Sequence, residues 1–160
     1  MSTVIYPGSF DPFHLGHLDV VEQAVQLFGD VVVAVMHNPQ KASGQFAAEE
    51  RVAMITASVS HLPKVRVQAF SGLAIDAAKA VQASCIVKGL RTPADFEVEQ
   101  QMAHTNYTVS GIRTVYVPCA PALGFISSRF IREISAHGGD VSSMVPSAVA
   151  NVLNSHHKRS

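Results

Sequence analysis

Residues 6–17 read YPGSFDPFHLGH. The stretch sets two imidazoles, His14 and His17, on either side of Leu15-Gly16, with the Ser9 hydroxyl just upstream. Three chemistries fit it. Histidines at this spacing can ligate a metal, but zinc sites draw on recognisable sets of ligands and no third is suggested nearby. An ordinary strand-to-helix turn would leave both rings solvated. A phosphate cradle would use the N–H groups and positive dipole end of a helix start. Imidazole and hydroxyl donors would add to it, and Gly16 would let the backbone come close to a ligand.

Three further stretches could bear on an anion. In IVKGLRTPADFE (86–97), Lys88 and Arg91 fall on a turn between a strand and a helix N-terminus. Solvated charges are the plain alternative. Glu99, further into that helix, could accept from a sugar hydroxyl, neighbour a charge or face solvent. In GFISSRFIRE (124–133), Ser127 and Ser128 open a helix. One hydroxyl suits an N-cap, and a phosphate at that helix start could use both. In HNPQK (37–41), Lys41 sits among turn formers and becomes a candidate for an anionic substrate only on a phosphate-lined rim. The chain contains no GxxxxGK[ST], GxGxxG or GxSxG motif, which disfavours P-loop, dinucleotide and hydrolase chemistry. No carboxylate cluster is dedicated to a metal, so none of the residues is assigned as a metal ligand and Mg²⁺ would arrive on a nucleotide.

These residues need a scaffold that gathers them. β-branched runs at 3–8, 30–36, 65–70, 84–89 and 111–118 predict five strands. Helical patterns are expected at 15–28, 48–61, 72–83, 92–107, 127–138 and 146–155. Thr92, Pro93 and Asp95 suit an N-cap, first position and first turn, and Ser127 and Gly138 suit a cap and a stop. At Ala47 a capping side chain is missing where one is expected, although Glu49 and Glu50 suit a first turn. The alternation predicts a Rossmann-like α/β fold: a parallel sheet of five strands, helices on both faces, right-handed crossovers. One domain over residues 1–160 is expected, with a polar tail fraying from 155. Ligands of such sheets sit beyond the carboxyl ends of the strands, where most of the distinctive polar residues fall.

Hydrophobic residues make up 48% of the chain, charged residues 15%, and mean hydropathy is +0.21. Such surplus apolar surface favours burial in subunit contacts. Twelve basic and 12 acidic side chains cancel, which argues against a nucleic-acid or membrane-surface binder. Cys85 and Cys119 fit no zinc spacing and are expected as two buried free thiols in a reducing compartment. No signal peptide or membrane-spanning run is expected, and the predicted location is cytoplasmic.

YPGSFDPFHLGH, EERVAM, VKGLRTPADFEVEQQMAHTN and FISSRFIREI occur in order across nearly the whole chain. Together they resemble the phosphopantetheine adenylyltransferases, a family of the HxGH nucleotidyltransferase superfamily, with KGLRTPADFE the most specific part. The resemblance implies AMP transfer from ATP to 4′-phosphopantetheine, giving dephospho-coenzyme A and pyrophosphate. It implies a cytoplasmic, Mg²⁺-dependent homohexamer inhibited by coenzyme A. Carried over by position, His17 would bind ATP and stabilise the transition state, with Ser9, Lys41 and Arg91 also catalytic. Ser9, Phe10, His14, Gly89, Leu90, Arg91 and Glu99 would meet ATP. So would Leu123, Gly124, Phe125, Ile126, Ser127, Ser128 and Arg129. Ser9, Lys41, Leu73, Ala74, Lys88 and Asn106 would meet the acceptor. Ser9 stands for a frequent threonine, His14 for another, Lys88 for a frequent arginine and Val98 for a frequent tyrosine. A nucleotidyltransferase for nicotinate mononucleotide or glycerol 3-phosphate, and a nucleotide-binding module without turnover, are the alternative readings.

Overall fold

In the computed structural model, which describes residues 2–41 and 44–158, the β-branched runs form strands and the 3.6-period stretches form helices. The order is β1 (Val4–Gly8), α1 (Leu15–Phe28), β2 (Val31–His37), α2 (Ala48–Ser58), β3 (Val65–Ser71) and α3 (Ala74–Ala80). Then come β4 (Cys85–Leu90), α4 (Pro93–Ser110), β5 (Arg113–Pro118), a 3-10 turn (Pro121–Leu123), α5 (Ser128–Ala136) and α6 (Ser147–His157). The strands make one five-stranded parallel sheet in the order β3-β2-β1-β4-β5, an α/β Rossmann-like fold.

Period-two alternation divides the core between the sheet's faces. Val4 and Tyr6 of β1, with Val31, Val33 and Val35 of β2, join the larger cluster, which α1, α2, α5 and α6 complete. Ile5, Val32, Ala34 and Ile86 face the other way, onto Ile75, Ala77 and Ala78 of α3. The central strands are covered on both faces, so they read as continuous apolar runs.

Several boundaries differ from expectation for local reasons. α3 is shorter than 72–83 because Gly72 (φ 87°) turns before it and Gln82 (φ 54°) after it. α2 ends at Ser58, before the expected 61. α4 runs past 107 to Ser110 and closes on left-handed Gly111 (φ 72°), while Thr92 accepts from the Asp95 N–H at its start as expected. α6 extends to His157, beyond the fraying expected from 155. α4 buries none of its residues; Val98, Met102 and Val109 are exposed. No helix among the described residues is long and apolar enough to cross a membrane.

Candidate active site

β1 and β4 are neighbours at the middle of the sheet, but β1 leads outward to β2 and β4 outward to β5. This reversal opens a crevice beyond their carboxyl ends. A cleft of about 180 Å³ and a second of about 300 Å³ lie there. Pro7, Gly8, Lys88 and Glu99 border both. The first also has Tyr6, Phe10, Gly16, His17, Gly89, Arg91 and Cys119 on its walls. The second holds Ser9, Leu73, Ala74 and Asn106 against the apolar side chains of Met36, Ile86 and Met102. A third cleft, of about 420 Å³, brings Lys41 beside Ser9, Asp11 and Arg51.

The histidines take different parts. His14 is the N-cap of α1 and only 3% exposed. Its Nδ1 accepts from the N–H groups of Gly16 (3.0 Å) and His17 (3.3 Å). His17 Nδ1 in turn accepts from the His14 N–H at 3.1 Å, and the rings stack with centroids 3.6 Å apart. The N–H groups that a phosphate could have used at this helix start are therefore already engaged. Gly16 also has a reason beyond the close approach expected of it. A Cβ there would lie 2.9 Å from His14 Cε1, so the glycine makes room for the capping ring. His14 lines neither of the first two clefts.

Burial, with Arg91 nearby, lowers the His14 pKa to about 3. Burial first, then His14, Arg91 and Lys88, hold His17 well below its usual range. Both rings are neutral near pH 7, and an Nδ1 that accepts leaves the proton on Nε2. His17 Nε2–H is thus its ring's free donor, and the ring lies on the first cleft. Its tautomer is fixed by the backbone of its own helix start.

Two cations face the same cleft. Arg91 is anchored by Nε to Asp95 Oδ2 (3.3 Å) and by Nη1 to the Ile126 carbonyl. Lys88 Nζ lies 3.3 Å from Glu99 Oε1, on the wall common to both clefts. Phe10, at φ 50°, packs edge-on against Tyr6, Phe13 and His17.

The stretch 123–129 reaches the site indirectly. Leu123, Gly124, Phe125, Ser127 and Arg129 line neither of the first two clefts, nor does Leu90. Ile126 has its side chain in the core and gives its carbonyl to Arg91. Ser127 occupies the N-cap position of α5 without a capping side-chain bond, and Ser128 Oγ donates to the Pro12 carbonyl at 2.8 Å. Cys85 is buried as expected, but Cys119 is only half-buried because it opens on the first cleft.

Asp11 and Arg51 carry a positioning duty that residue types alone did not reveal. The buried Asp11 carboxylate accepts from the N–H groups of Gln45 (2.9 Å) and Phe46 (3.0 Å). Glu50 accepts from the Ala47 N–H at 2.9 Å. α2 therefore starts without a side-chain cap from Ala47 because these carboxylates hold the segment before it. Arg51, 5% exposed, donates to the carbonyls of Phe46 (3.1 Å), Ser9 (2.7 Å) and Met36 (3.3 Å). It ties the β1 loop, the end of β2 and the approach to α2 together. The only signal was EERVAM, where nothing local marks the arginine as buried.

Among the described residues no group of three or more His, Cys, Asp or Glu side chains could hold a metal ion. What the site offers is a set of neutral and cationic donors around a crevice, the cations paired with Asp95 and Glu99, and a second, mostly apolar crevice sharing its wall. The model of the cytidylyltransferase-like family matches residues 5–134, which span β1 to α5 and every one of these donors. The chain belongs to the cytidylyltransferase-like family, whose general chemistry is nucleotidyl transfer.

Proposed function

We propose that the protein transfers AMP from MgATP to 4′-phosphopantetheine, releasing pyrophosphate and giving dephospho-coenzyme A. The observation that carries this reading is the pair of clefts on one wall. A donor-lined cleft with His17 and Arg91 suits the nucleotide phosphates. Across Lys88, the second cleft suits an acceptor that combines a phosphate with a long, largely apolar amide arm. Leu73, Ala74, Met102 and Asn106 would follow that arm.

A phosphate monoester is largely ionised at pH 7, its second pKa being about 6. Its oxygen can attack the α-phosphorus without a general base. The P–O bond to the β-phosphate breaks, and pyrophosphate leaves with that electron pair. Catalysis then consists of aligning the two phosphates and stabilising charge on the transferring group. His17 Nε2–H donates to an α-phosphate oxygen. Arg91 and Lys88 supply positive charge, Lys41 meets the acceptor phosphate, and Ser9 sits where the second and third clefts meet. Mg²⁺ enters with ATP. Cytoplasmic location, a homohexameric assembly and inhibition by coenzyme A belong to the same proposal; the exposed apolar residues of α4 are compatible with a subunit contact.

The deciding experiment follows pyrophosphate release with MgATP or MgCTP and each of 4′-phosphopantetheine, nicotinate mononucleotide and glycerol 3-phosphate. Release with ATP and phosphopantetheine alone is expected. Release with another acceptor and none with phosphopantetheine overturns the assignment. Calorimetric ATP binding with no product from any acceptor points to a non-catalytic nucleotide-binding module.

A further inference from the structure

Tyr6 is on β1, the strand at the centre of the sheet, and is 5% exposed. Its ring packs edge-on against Phe10 at 5.2 Å, a contact that phenylalanine would make equally well. The hydroxyl needs a separate reason. Among the described residues it has no hydrogen-bond partner. Yet no polar side-chain atom there is both sealed off and unpartnered, so the hydroxyl must open on the first cleft, which Tyr6 lines. It lies beside Gly89, whose added Cβ would be 3.8 Å from Tyr6 Oη. His17 and Arg91 flank the same space.

A hydroxyl that opens on a cleft and has no partner in the protein keeps its O–H free for a ligand there. Burial raises its pKa, outweighing the nearby Arg91, so it remains an O–H donor. A neutral donor beside a neutral imidazole donor and a guanidinium suits an oxygen-rich anion. We propose that the Tyr6 hydroxyl donates a hydrogen bond to a phosphate oxygen of the bound nucleotide. This rests on the nucleotidyl-transfer reading above and adds to it a ligand-contacting residue.

Tyr6→Phe removes the hydroxyl and keeps the ring. Calorimetry with MgATP and with adenosine, together with thermal unfolding of the ligand-free protein, tests the inference. MgATP affinity should fall roughly 10- to 100-fold, the worth of one hydrogen bond to a charged group. Adenosine affinity should be unchanged, and the ligand-free variant should melt no lower than the original protein. Equal MgATP affinity in both proteins overturns the inference, as does a parallel loss for adenosine. A lower melting temperature without ligand overturns it too, since the hydroxyl would then have a partner inside the protein. If the original protein binds no MgATP, the nucleotidyl-transfer reading falls and this inference with it; if only the variant comparison fails, that reading stands.

Discussion

His14 and His17 cap each other: each ring's Nδ1 accepts from the other residue's backbone N–H, at 3.1 and 3.3 Å. The first histidine of the HLGH stretch thus builds the helix start and the second is held by it. His14→Ala should lose about 1 kcal/mol, the usual worth of an N-cap, and lower the Tm by about 2–4 °C. His14→Asn and His14→Thr should recover most of that, since both side chains can cap. If all three variants melt alike, the ring does not cap.

His17 joins a structural and a chemical duty, so alanine confuses the two. His17 lines the first cleft, yet its bond to the His14 N–H predicts that alanine there costs about 1 kcal/mol of stability. His17→Asn places an oxygen near the Nδ1 position and removes the Nε2 donor. It should fold with near-original stability and turn over at least ~100-fold more slowly. Turnover close to the original rate in His17→Asn excludes Nε2–H as a transition-state donor.

Neutral histidines leave a signature in pH. The His14 pKa falls from 6.5 to about 3 on folding, so between those values the unfolded chain binds the extra proton. Stability from this residue is complete above about pH 6.5 and declines as pH falls toward 3. His17 shifts in the same direction. Tm measured from pH 7 down to pH 4 should fall, and less steeply in His14→Asn. The rate should show no limb near 6.5 from either imidazole; one that disappears in His17→Asn would assign His17 a protonated form.

Arg51 reaches three separate carbonyls, so shortening its fork should be felt in all of them. Arg51→Lys should cost about 3 kcal/mol in urea denaturation, because one ammonium cannot replace bonds of this geometry. A loss under 1 kcal/mol would show that the fork does not anchor the rim.

The second cleft can be closed from the side. Ala74→Phe fills space at the start of α3, away from His17 and Arg91. KM for phosphopantetheine should rise at least ~10-fold while KM for ATP stays within about twofold, a scale set by a few lost apolar contacts. An equal rise in both KM values would place the acceptor elsewhere.

Much of the scaffold was legible because its signals are local. The valine runs marked buried parallel strands, Thr92-Pro93 marked a helix start, and Gly138 (φ 78°) marked a stop. The rim followed from the rule that ligands gather past the carboxyl ends of such strands. What stayed hidden depends on partners distant in the chain. Asp11 meets residues 34 and 35 positions away, and Arg51 meets Ser9 across 42. No spacing rule reaches that far. The sidedness of His14 was equally illegible, since residue type does not say whether an imidazole turns toward a ligand or back onto its own amides. Leu123 to Arg129 would meet ATP by resemblance, and its bonds to the rim are equally distant in the chain: the Ile126 carbonyl accepts from Arg91 and Ser128 Oγ donates to the Pro12 carbonyl.

The Lys88–Glu99 ion pair stands on the wall common to both clefts, so the proposed nucleotide and acceptor would share one cation. In the ligand-free protein the ammonium is already paired with a carboxylate. On the proposed reading, an anion arriving on either side would compete with the carboxylate for that one charge, and whatever it withdrew would no longer be offered to the other side. Whatever factor one ligand imposes on the affinity of the other, the second must impose on the first. Replacing Glu99 by glutamine alters that exchange from both directions at once.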